Sequence, residues 1–245
     1  MQTHRVTSYS EIENILGCKI GSSHCPFVFR GISSEYRLLP SMCYPHINIP
    51  VEHLEDLHEV TQEKFSEYIE SQGFFSKYQK HFIGRHAGLI SPYMDVTPDA
   101  TIALQFGMEM AKDKPMHLYA INTDNVEWIT TLPDNNGECV QIKIMNPILS
   151  ASNIELIPQR TQFIQSGKLL HQPFNTISIP FDEAYPEIVQ RFEIEPDNFD
   201  KIRYEMWPDK SMSTALLIDE PNEIFTEVKA INAKAIAFIK HKYNL

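Results

Sequence analysis

No apolar run in the chain approaches the roughly 20 residues that a membrane-spanning helix needs, and the opening Met1-Gln2-Thr3-His4-Arg5-Val6 lacks the apolar stretch of a secretory signal. A cytoplasmic location with no membrane partner is therefore the expectation. Cysteine is scarce. Cys18, Cys25, Cys43 and Cys139 include no Cys-x-x-Cys pair, so they read as reduced, mostly buried thiols rather than a disulfide framework. Histidines are scattered, and His81 and His86 do not share a helix face, so no metal site is expected. Basic residues are also short: 21 Lys and Arg stand against 32 Asp and Glu, for a net charge of -11. That balance argues against a broad nucleic-acid groove, whose affinity comes from Lys and Arg displacing counterions. It leaves room for a small local basic site, or for a basic protein docked on an acidic surface.

Familiar catalytic signatures are missing as well. The chain has no GxGxxG, no P-loop, no GxSxG elbow and no HExxH, which removes the common dinucleotide, nucleotide, hydrolase and zinc-protease readings. It has neither an internal repeat nor a low-complexity tract. What is present is an ordinary globular balance, 42% hydrophobic and 22% charged over 245 residues, which suits one domain spanning residues 1–245.

The first seventeen residues, with Tyr9, Ile12 and Ile15 in near-helical spacing, predict a short helix ending at Gly17. Pro26-Phe27-Val28-Phe29-Arg30 predicts a strand stopped by Gly31. Leu54, Leu57, Phe65, Tyr68 and Ile69 predict an amphipathic helix over 52–71, broken at Gly73 before a second helix that runs towards Arg85. At Thr97-Pro98-Asp99 a hydroxyl cap, a first-turn proline and an early acid predict a helix start, with Ile102, Ala103, Phe106 and Met110 as the buried face. Beyond Pro115 the pattern turns to strands at 116–122, 126–131, 139–144 and 174–180, with a turn at 134–137. A closing helix at 223–243 buries Ile224, Val228, Ile231 and Ile239. Helices first and strands later, without regular alternation, predict an α+β fold.

Three stretches carry the functional signal. Phe29-Arg30-Gly31 is followed by Tyr36-Arg37-Leu38-Leu39-Pro40-Ser41. Further on, His86-Ala87-Gly88-Leu89-Ile90-Ser91-Pro92-Tyr93-Met94-Asp95-Val96-Thr97-Pro98 leads into Ala103-Leu104-Gln105-Phe106, and Gln165-Ser166-Gly167 comes last. Together they resemble the FRG domain family, which carries a Phe/Tyr-Arg-Gly strand end, a Leu-x-Pro-Ser segment, a long His-x-Gly-Leu signature before an alanine-rich helix, and a Gln-x-Gly motif. The resemblance spans about 24–170 and leaves a C-terminal strand and helices at 171–245. Ser91 stands for the family's threonine, Met94 for its leucine and Val96 for its tryptophan.

That pattern is in turn similar to the first two blocks of arginine-type ADP-ribosyltransferases. The similarity implies N-terminal helices packed on a split, mostly antiparallel sheet, with NAD as substrate in a cleft. Arg30 would grip a phosphate or ribose, Gly31 would admit the ligand to the backbone, and His86, Ser91 and Thr97 would shape the rest of the cofactor-binding site. Asp95 and Gln165 would join Arg30 as the catalytic group. Compact intracellular enzymes of this type serve as toxins or antiphage effectors, so the implied partners are a protein or nucleic-acid acceptor and an antitoxin or regulator. Each of His86, Asp95 and Thr97 also has a structural reading: a satisfied buried histidine, a partner for Arg30, and a helix cap. The transferases place a catalytic glutamate in the third block, whereas Gln165-Ser166-Gly167 supplies no acid; Asp95, Glu138 or Glu155 is left to provide one, or the chain binds without catalysing.

Overall fold

The computed structural model describes residues 1–22, 24–71, 77–124, 126–129, 143–145, 167–207 and 223–245. They divide into two compact units, each assembled from three separate stretches of chain. The class is α+β, with helices and mixed sheets.

The first unit comprises 1–38, 96–126 and 181–217. Its sheet contains β1 (Gln2–Arg5), β2 (Phe27–Ser33), β4 (Met116–Asn122) and β8 (Val189–Ile194) in the order β1-β8-β4-β2. β1 and β8 are parallel, while the β8–β4 and β4–β2 pairs are antiparallel. Strand alternation sends Phe27 and Phe29, Met116, Leu118 and Ala120, and Phe192 and Ile194 into one core with Ala103, Leu104 and Met108 of helix α4 (Ala100–Ala111). Each large aliphatic or aromatic side chain buried there contributes about 1.5–3 kcal/mol. Helix α1 (Tyr9–Leu16) adds Ile12 to the same core. It begins at Ser8, whose hydroxyl accepts from the Glu11 amide at 3.3 Å, while Glu11 reaches back to accept from the Thr7 amide at 2.7 Å. It ends at Gly17, left-handed at φ 66°.

Helix α4 lies unusually close to the sheet. A Cβ built on Gly31 would stand 1.8 Å from the Ala103 carbonyl oxygen, and one on Gly107 would stand 2.3 Å from Cε of Met116. Gly31 therefore does not stop the strand, as its type suggested; β2 runs on to Ser33, and the missing side chain is what lets α4 seat.

The second unit comprises 39–95, 127–180 and 218–245. Helices α2 (Leu54–Glu70), α3 (Lys77–His86) and α7 (Glu223–Tyr243) bury Phe65, Ile69, Ile83, Ile224, Val228 and Ile231 in one cluster and Leu54, Leu57, Ala235 and Ile239 in another. A second sheet orders β3 (Tyr93–Val96), β7 (Lys168–His171), β6 (Lys143–Met145) and β5 (Glu127–Ile129) as β3-β7-β6-β5.

Several expectations need correction. The strand expected at 174–180 is a run of turns: the buried Gln172 amide donates to the carbonyls of Thr176 at 2.6 Å and Ile179 at 2.9 Å, and so gathers the loop on itself. On α4, Phe106 is half-buried and Met110 is exposed; Leu104, Gly107 and Met108 take their place. β1, β8 and the helix α6 (Phe199–Met206) were not anticipated. Gly73 and the turn at 134–137 lie outside the described residues.

Candidate functional site

Arg30 sits half-buried in the middle of β2. Because Phe29 and Gly31 face α4, alternation turns Arg30 to the other side of the sheet. The outer edge of β2 is closed by Thr97, whose amide donates to the Phe29 carbonyl at 2.9 Å while the Phe29 amide donates to the Thr97 carbonyl at 2.6 Å. Thr97 itself is buried. Its hydroxyl accepts from the Asp99 amide at 3.1 Å, one step ahead of the helix. The cap of α4 is Asp99, which accepts from the Thr101 amide at 2.9 Å and the Thr101 hydroxyl at 2.6 Å. Thr97 is thus bridged to β2 just past the end of β3 and is not the cap, and Pro98 lies ahead of the helix rather than in its first turn.

The remaining signature residues belong to the second unit. His86 closes α3 and is buried. Gly88 follows at φ 86°, a value glycine adopts without strain. Asn232 of α7 fixes the loop after it: its amide donates to the Gly88 carbonyl at 2.9 Å and its oxygen accepts from the Ile90 amide at 3.0 Å. Ser91 is buried, its amide donating to the Ser41 hydroxyl at 3.1 Å and its own hydroxyl accepting from the Tyr93 amide at 3.1 Å. The Leu39-Pro40-Ser41 segment and the His86–Pro98 stretch are therefore bonded to one another at Ser41 and Ser91. Asp95 forms an ion pair with Arg85, Oδ2 to Nη2 at 3.2 Å, and Arg85 also donates from Nε to the Tyr93 carbonyl at 3.1 Å. Gln165, Ser166, Glu138 and Glu155 lie outside the described residues, while Gly167 is buried beside β7.

Beside Arg30 the sheet presents a polar group that sequence reasoning missed. Tyr119 stands directly opposite Arg30 on one side and Arg191 on the other, so the three form one row across β2, β4 and β8. In the adjoining row His117 faces Glu193. Glu193 gathers two cations, Arg191 at 3.2 Å and Arg5 at 3.4 Å, with the His117 ring at 4.0 Å. Burial pushes the Tyr119 hydroxyl up to about 12, with Asp182 adding to the rise and the Arg191 charge opposing it. Burial and the Arg191 charge lower the pKa of His117, and burial raises that of Asp182 in the short helix α5 (Phe181–Ala184). The His117 and Tyr119 parity was visible in the sequence; its partners were not, because β8 carries polar side chains on both faces.

The three cysteines within the described residues are free thiols, and burial pushes those of Cys18 and Cys43 up to about 12. Among the described residues no group of three or more His, Cys, Asp or Glu is arranged to hold a metal ion, and no helix is long and apolar enough to cross a membrane. No family model, no curated protein and no solved structure matches the chain.

Proposed function

We propose that this chain is an FRG-domain protein of ADP-ribosyltransferase-like fold that takes NAD as its substrate through Arg30. The observation that carries the reading is the reciprocal backbone pair between Phe29 and Thr97, which bonds the Phe-Arg-Gly strand to the last residues of the long signature. Two stretches far apart in sequence, singled out for their pattern, are thus physically joined. The bond between Ser41 and Ser91 supports it in the same way.

In this reading the Arg30 guanidinium forms paired hydrogen bonds to a phosphate or ribose of NAD, and Thr97 holds the edge of its strand. Gly31 has a packing duty towards α4 that is separate from any ligand. Ser91 fixes the signature loop, in which His86 is buried, and Asp95, paired with Arg85, is the acid that the family pattern offers in the second unit. Gln165 offers a neutral amide to a ribose hydroxyl. Nicotinamide leaves and the ADP-ribosyl group passes to a nucleophile of a protein or nucleic-acid acceptor in a toxin or antiphage role, with an antitoxin or regulatory protein as counterpart. The test is labelled NAD given to purified protein in a cell lysate. Nicotinamide release and a labelled macromolecule, both lost in Arg30→Ala, support transfer; neither appearing, with growth inhibition unaffected by Arg30→Ala, ends the reading.

The glutamine in place of the expected glutamate favours a second reading, a noncatalytic module that binds a nucleotide or nucleic-acid end through Arg30. Tight NAD or ADP-ribose binding with no turnover selects it.

A further inference from the structure

We infer that Arg191 is a second ligand-holding guanidinium beside Arg30, so that the first unit is built to take a diphosphate rather than a single phosphate; this rests on the nucleotide reading of Arg30. Three observations lead there. Register puts Arg30, Tyr119 and Arg191 in one row on the same sheet face, with the two arginines separated by a single strand. Adjacent strands lie about 4.8 Å apart, so the two side chains start about 10 Å from each other and flank the Tyr119 ring. Two planar forks on either side of the buried Tyr119 ring match the two linked phosphates of a diphosphate, each with oxygens to accept a paired hydrogen bond.

Charge concentrates there against the grain of the chain. In a protein of net charge -11, this face and its rim collect Arg5, Arg30 and Arg191 against Glu193 and Asp182. Asp182, the acid that acts more strongly on Tyr119, has its pKa raised by burial, which eases its neutralisation beside an incoming anion. Glu193 accepts from Nη2 of Arg191 at 3.2 Å, while Nε is a buried donor that finds no hydrogen-bond partner among the described residues. Glu193 thus holds the fork in place in the free protein, and a phosphate oxygen substitutes for its carboxylate when ligand arrives.

The experiment is calorimetric titration of ADP-ribose and of AMP into the wild type, Arg191→Ala, Arg191→Lys and Tyr119→Phe, with circular dichroism to check folding. Wild type is expected to bind ADP-ribose more tightly than AMP. Arg191→Ala should lose about ten- to a hundredfold for ADP-ribose and little for AMP, and Arg191→Lys should fall between, because an ammonium lacks the fork. Should Arg191→Ala fail to fold, Tyr119→Phe decides: a loss of about threefold or more, confined to ADP-ribose, supports the assignment and unchanged affinity overturns it. Arg191→Ala binding ADP-ribose like the wild type, or losing both ligands equally, overturns the inference while leaving the role of Arg30 intact. Wild type that binds neither ligand overturns both.

Discussion

Phe29 and Thr97 exchange both of their backbone hydrogen bonds, at 2.6 and 2.9 Å, although one belongs to a strand near the N-terminus and the other to the approach of helix α4. The pair closes the outer edge of β2 at the residue before Arg30 and hands the chain directly to Asp99, the cap of the helix that packs on that strand. The backbone on both sides of Arg30 is therefore set by neighbouring elements.

The seating of α4 on β2 predicts a graded response to small substitutions. Gly31→Ala drives a methyl group against the Ala103 carbonyl, which is backbone and cannot turn aside, and should destabilise the first unit by about 3 kcal/mol or more. Gly107→Ala meets first the flexible end of Met116 and should cost roughly half as much. Urea denaturation measures both; equal, small losses would show that the helix shifts freely.

Asn232 satisfies one donor and one acceptor of the loop between His86 and Ser91. Asn232→Ala leaves the Ile90 amide and the Gly88 carbonyl without that partner, and the chain should lose about 1–3 kcal/mol. Faster amide exchange should be confined to that loop if the effect is local. Asn232→Asp restores only the acceptor and should fall between, as thermal melts will show.

Arg85 and Asp95, with side chains 11% and 20% exposed, are enclosed enough for their pairing to count. A double-mutant cycle on Arg85→Ala and Asp95→Asn should return a coupling of about 1–3 kcal/mol, and each single variant should be worse than the sum of independent surface changes. A coupling near zero would mean that solvent screens the pair.

His117 gives the first unit a pH dependence of definite sign. Burial and Arg191 hold its folded-state pKa below the ordinary 6.5, with Glu193 and Asp182 opposing the drop. The unfolded chain then takes up the proton first, so stability falls as pH decreases through about 6.5 towards the folded value. His117→Gln removes that slope, and denaturation between pH 7.5 and 5 should show a flatter profile than the wild type, by up to about 1.4 kcal/mol per unit of depressed pKa.

Much of the helical framework was legible, because α1, α2, α4 and α7 carry apolar residues at helical spacing and α1 ends on a left-handed glycine. Strands set by partners were not. β1 is Gln2-Thr3-His4-Arg5, with no apolar pattern of its own, and exists through its pairing with β8. β8 places Arg191 and Glu193 on the face shared with Tyr119 and His117, a polar alternation that reads as surface until the register is known. Conversely, the apolar residues of 174–180 read as a strand, yet Gln172 folds them into turns. The candidate site follows the same division. The joined motifs were visible as pattern, whereas the capping role of Asp99, the Arg85 partner of Asp95 and the row beside Arg30 depend on contacts that no local window contains.

Titration of NAD into the wild type and into Arg30→Ala and Arg30→Lys tests the central claim most directly. The account predicts binding by the wild type, loss of about tenfold or more in Arg30→Ala, and partial retention in Arg30→Lys, with all three equally folded. NAD binding that is absent from the wild type, or unchanged in a folded Arg30→Ala protein, would contradict it.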